Sequence, residues 1–153
     1  MDLPADIAAA CKPLFEALPM EQAMERLIGG SPKHTEVVEA VLQQPAIAGR
    51  ADLAAGLWLY VDDLDRSHSV SQSLADSTGS YWHAIMHRRE GDFANSHYWL
   101  RRAAEHPLIA SDPQRDPHAL VDAVAQAGRE DSDLAARQRL EWQSLFSWCA
   151  NRR

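Results

Sequence analysis

Lysine is nearly missing from this chain: Lys12 and Lys33 are the only two in 153 residues. Arginine therefore fills ordinary surface positions as well, and a lone arginine on a helix face says little. Lys and Arg together number 15 against 22 Asp and Glu, for a net charge of −7. A general nucleic-acid binder needs a basic surface, so that class is excluded. Cysteine is scarce too. Cys11 and Cys149 stand near opposite ends, and no CxxC or Cys/His zinc spacing exists, which excludes a disulfide framework or a thiolate zinc cluster. Both are expected to be reduced and packed as small hydrophobes. No apolar run approaches the roughly 18 residues of a membrane span. Met1-Asp2-Leu3-Pro4 has no basic segment leading an apolar one, so no signal peptide is expected and the expected residence is cytoplasmic. The chain also lacks a P-loop, a dinucleotide-binding glycine pattern and a nucleophile elbow. Strand signals are nearly absent, with no clean period-two alternation and no Asn-Gly or Asp-Gly turn.

Helix is what remains. Hydrophobic residues make up 46% and charged residues 24%, ordinary for a globular protein and enough for a core without a metal or disulfide staple. The expectation is one all-α domain over 1–153, a bundle of about seven helices with short loops. Pro13 and Pro19 interrupt a first helix over Ala5–Leu18. A second is predicted over Met20–Ile28, stopped by Gly29-Gly30. Ser31-Pro32 is the predicted start of a third, running to Gln44. Asp52 is the predicted cap of one long helix continuing to Ser73. Asp76–Ser80 reads as a connector. Two helices, Tyr81–Glu90 and Phe93–His106, then form a hairpin turning at Gly91-Asp92. A loop over 110–117 follows, then a helix from Asp116-Pro117 to Gly128 and a last one over Leu134–Ala150.

The hairpin region Ser80–Pro107 is the densest in chemistry. It holds four of the seven histidines, Arg88, Arg89, Arg101, Arg102, and two of the five tryptophans. Residues three or four apart share a helix face. Three polar stripes result: Asp65, His68 and Gln72; His83, His87 and Glu90; Asn95, Trp99, Arg102 and His106. With a rise of about 1.5 Å per residue, His83 should face Trp99 to Arg102 across the turn, and His87 should face Asn95 to Trp99. If the preceding helix packs across this hairpin, His68 joins them and a pocket forms. His83 and His87 can share a divalent ion such as zinc, with His68 or Glu90 as a further ligand and a position left for water. The same side chains, His68, His83, His87 and Glu90, could instead move protons without a metal. Arg88 and Arg102 would hold a carboxylate or phosphate, Trp82 and Trp99 would offer a flat wall, and Asp65, Gln72, Asn95 and His106 would complete the lining. The plain alternative is that these stripes are solvated faces and the tryptophans core.

Two resemblances rest on these residues. Tyr81–Pro107 resembles one tetratricopeptide-type hairpin: Gly91-Asp92-Phe93 is similar to that repeat's Gly-Asp-Tyr turn, and Ala103 and Pro107 fall near its small-residue and closing-proline positions. No second copy stands at a 34-residue period. Ala55-Gly-Leu-Trp-Leu-Tyr through Asp65-Arg-Ser-His68, then Gly79-Ser-Tyr-Trp-His-Ala-Ile-Met-His-Arg-Arg-Glu90, Tyr98-Trp99, His106-Pro107, Glu141-Trp142 and Leu145-Phe146 resemble a family of small uncharacterised helical proteins of bacteria and fungi. That resemblance implies a shared fold and site and no chemistry. The functional expectation is a pocket for a small anionic or polar ligand, with or without a divalent metal and turnover. The rival is a non-enzymatic helical interaction module in which Trp99, Tyr98 and the arginines contact a partner protein; a homo-oligomer is a further expectation.

Overall fold

The computed structural model describes residues 1–152. Among them are nine α-helices and no strand: α1 (Ala5–Ala17), α2 (Thr35–Leu42), α3 (Ala51–Tyr60), α4 (Leu64–Ser73), α5 (Ser77–Glu90), α6 (Phe93–Arg102), α7 (Pro107–Ala110), α8 (Pro117–Ala127) and α9 (Ser132–Ala150). The all-α architecture is as expected, and among the described residues no helix is long and apolar enough to cross a membrane.

The single long helix expected from Asp52 to Ser73 is two helices. Asp62 adopts a left-handed φ of 61°, and the Asp63 carboxylate caps α4 by accepting from Arg66 N at 3.1 Å. α4 therefore folds back on α3, where the buried Ser67 hydroxyl donates to the Ala55 carbonyl at 2.9 Å. The next hairpin repeats this construction. Asp92 caps α6 through Asn95 N at 3.1 Å, and Ser96 donates to the Ala84 carbonyl at 2.7 Å. The sequences match: Asp63-Leu-Asp-Arg-Ser-His68 and Asp92-Phe-Ala-Asn-Ser-His97, 29 positions apart. α4 packs on α5, so the four helices α3–α6 follow one another side by side, and α8 and α9 close the bundle against α6 and α3.

The expected helix over Met20–Ile28 does not form. Beyond a single 3-10 turn at Met20–Gln22, the segment gives its carbonyls to α5 instead of to itself. The fully buried Arg89 guanidinium donates to the carbonyls of Arg26, Leu27 and Gly29 and pairs with Asp62. Other boundaries move as well. α2 starts at Thr35, not at Pro32. α5 starts at Ser77, capped by Asp76 through Gly79 N at 2.9 Å, so the expected connector is the first turn of a helix. α6 ends at Arg102, not at His106, and Pro107, expected to close that helix, opens the short α7 instead.

The core lies between α3, α5 and α9. Trp82, Trp142, Phe146 and Tyr60 fill it. Trp142 Nε1 donates to the Gly56 carbonyl at 2.8 Å. Gly56 also lets Trp82 pack closely: a Cβ there would stand 2.8 Å from the Trp82 ring. Cys11 and Cys149 are buried and unbridged, and burial pushes each thiol up to about 12.

Candidate metal centre

α5 is buried from Thr78 to Arg89. A helix enclosed on all sides must satisfy polar side chains against its neighbours, and α5 does so differently on each face. Toward α9, Arg88 donates to Gln138 Oε1 at 2.8 Å and pairs with Glu141 at 2.6 Å. Tyr81 donates to the same carboxylate at 3.2 Å. Toward α4 and α6 the helix presents His83 and His87, one turn apart, with ring centroids 4.8 Å from each other and nearly parallel.

His68, from α4, closes the group. Its ring centre lies 4.6 Å from His83 and 5.4 Å from His87. Donor atoms of the three imidazoles all fall within 4.8 Å of one another. Trp99, from α6, stacks on His83 at 3.9 Å and 14°, which fixes the ring plane. His83 is 2% exposed, and its Nδ1 is buried with no hydrogen-bond partner among the described residues. A buried, unpaired nitrogen is costly unless something else binds it. Burial first, then the neighbouring charges of His87 and His68, pushes His83 down to about 4, so its ring is neutral at physiological pH and its lone pair is free.

Glu90 completes the arrangement from the end of α5. Its carboxylate contacts His87 Nδ1 at 2.5 Å. A carboxylate only accepts, so Nδ1 holds the proton, and in the neutral ring Nε2 is a lone-pair donor. A second trio, His87, Glu90 and Asp92, also has donor atoms within 4.8 Å. There the Asp92 carboxylate is occupied by Asn95 N and Nδ2, and its carboxyl is held below the usual range chiefly by the Asn95 backbone N–H.

The remaining residues singled out from the sequence scatter. Arg102 lies over the Trp99 and Tyr98 rings, 5.4 and 5.9 Å from their centres, exposed beside the imidazoles' Trp wall. Asp65, Gln72 and Asn95 are exposed. Arg88, expected as an anion clamp, is spent on Gln138 and Glu141. Trp82, expected as a ligand wall, is fully buried against Gly56 and Trp142. His106, expected on the same stripe as Trp99, is buried between Tyr81 and Trp148, where Nδ1 caps α7 by accepting from Leu108 N.

One constellation escaped the sequence reading. On the α6–α8 face, His97 Nδ1 lies 2.7 Å from His118 Nδ1, and His97 Nε2 lies 2.9 Å from Asp122 Oδ1. The repeated Asp-x-x-x-Ser-His was the signal available for it. No family model, no curated protein and no solved structure matches the chain.

Proposed function

We propose that the protein binds one divalent metal ion through His68, His83 and His87 and uses the ion's open position to hold a small anionic or polar ligand. The observation that carries this reading is the convergence of three imidazoles, one of them with a buried Nδ1 that has no hydrogen-bond partner among the described residues. Donors bound at about 2.0–2.1 Å in a tetrahedron stand about 3.3 Å apart, so modest ring rotations bring these nitrogens onto one ion. Three neutral imidazoles select a borderline ion such as zinc over magnesium or calcium. Glu90 acts on the far nitrogen of His87 as the carboxylate that orients a metal-bound histidine.

The low proton affinity of His83 favours ligation over metal-free acid–base work. A general base is most effective with a pKa near the working pH, and His83 lies well below it. A three-histidine ion keeps a fourth position for water, and bound water on such an ion ionises near neutrality. The exposed Arg102 guanidinium, held over the Trp99 ring that stacks on His83, is a nearby cation suited to a carboxylate or phosphate. Hydrolysis or isomerisation at the ion belongs to this reading as the turnover to be assayed.

Thermal melting of untagged protein with and without zinc tests it. Zinc should raise the wild-type midpoint, and His83→Ala should abolish the rise. Glu90→Gln should weaken zinc binding about 10- to 100-fold, as loss of an orienting carboxylate does. An undiminished zinc response in His83→Ala would refute the assignment.

A further inference from the structure

The hairpin duplication has a chemical counterpart. Asp63–His68 and Asp92–His97 occupy matching places, each with an Asp cap, a buried serine bonded back to the previous helix, and a histidine one residue later. In each copy that histidine meets the next packed helix at two potential metal ligands four residues apart. For His68 these are His83 and His87 on α5. For His97 they are His118 and Asp122 on α8. We infer that His97 and His118 form a second divalent-cation site, independent of the first, for a borderline ion of the zinc class.

The tautomers follow from the contacts. Asp122 Oδ1 can only accept, so His97 Nε2 carries the proton and His97 Nδ1 is a lone-pair donor. With both rings neutral, the 2.7 Å approach of the two Nδ1 atoms places the proton on His118 Nδ1. An ion entering between them takes both lone pairs, and the His118 proton moves to its Nε2. Tetrahedral donors stand about 3.3 Å apart, so the pair must open by about half an ångström. The rings are parallel, 5.0 Å apart at 7°, and partly exposed, so an ion can reach them and water can fill the other positions. Asp122 serves as the positioning carboxylate here, as Glu90 does for His87. The three groups do not converge on a point, because His118 and Asp122 use opposite nitrogens of His97. The second site therefore has two protein nitrogens and binds more weakly than the first.

Equilibrium dialysis of the full untagged chain against zinc, read by elemental analysis, separates the sites. Wild type should saturate at two ions, with His118→Gln and His97→Gln each dropping to one and Asp122→Asn weakening the second ion. His83→Ala should lose the other, tighter ion. Because α8 must stay packed, helicity of each variant is checked, and imidazole ¹⁵N spectra of wild type provide a readout free of mutation. His97 and His118 nitrogens should shift as the second ion adds. A wild-type stoichiometry unchanged by His118→Gln, or His97 and His118 signals indifferent to zinc, would overturn the second site. A count unchanged by His83→Ala would instead overturn the first.

Discussion

His83 and His106 set the acid response of the protein. Both are buried, and burial pushes both down to about 4 from an ordinary value of 6.5. Between those limits the unfolded chain binds more protons than the folded one, so stability rises with pH. The contribution is complete above about 6.5 and is lost as pH falls toward 4. At pH 5 the loss is about 2 kcal/mol for each imidazole. The urea midpoint should therefore drop from pH 7 to pH 5. His106→Gln, which keeps a polar side chain but removes one titration, should lower the pH 7 midpoint and shrink the drop. A midpoint indifferent to pH in this range would contradict the buried, neutral state of both rings. Helical spacing was enough to bring His83 and His87 to one face, and the rise along a hairpin was enough to set His83 against Trp99. The same arithmetic could not assign Arg88. One step round the helix from His87, its direction is decided by Gln138 and Glu141, some 50 residues later. His106 was misplaced for the same reason: Tyr81 and Trp148 surround it, and the first lies a whole hairpin away.

At the scale of elements, some caps were legible and the breaks were not; Ser31 and Asp52, expected as caps, give way to His34 and Arg50. Asp92, Asp116 and the glycines 91 and 128 mark their helix ends as expected. The turn at 61–63 was hidden because Val61-Asp62-Asp63 continues a good helical pattern. Its cause is distant: Asp62 is drawn out to the buried Arg89, and the strongly apolar α3 is enclosed by α4, α5 and α9. The missing helix near Met20 has the same origin, since Arg89 takes its carbonyls. Close packing of α3 on α5 and α9 depends on one glycine. A Cβ at Gly56 would meet the Trp82 ring at 2.8 Å and Phe146 at 3.0 Å, both rigid. Gly56→Ala removes some unfolded-state entropy, but overpacking of this kind costs about 1–3 kcal/mol and wins. A lower melting midpoint is expected, and an unchanged or higher one would show that the interface is looser than described.

For the molecule as a whole, the core and the imidazole cluster are two uses of one buried helix. α5 turns Tyr81, Trp82 and Arg88 toward α3 and α9 and His83 and His87 toward α4 and α6. The Nδ1 of His83 is one of several buried polar atoms without a hydrogen-bond partner among the described residues, and it stands in a ring that also belongs to the imidazole cluster. That nitrogen is the feature for which metal binding supplies a reason. The most direct measurement is anomalous diffraction at the zinc edge from crystals of untagged protein grown with zinc. A peak is expected with nitrogens of His68, His83 and His87 at about 2.0–2.1 Å. Zinc bound elsewhere, with these three rings unmoved and no peak between them, would contradict it.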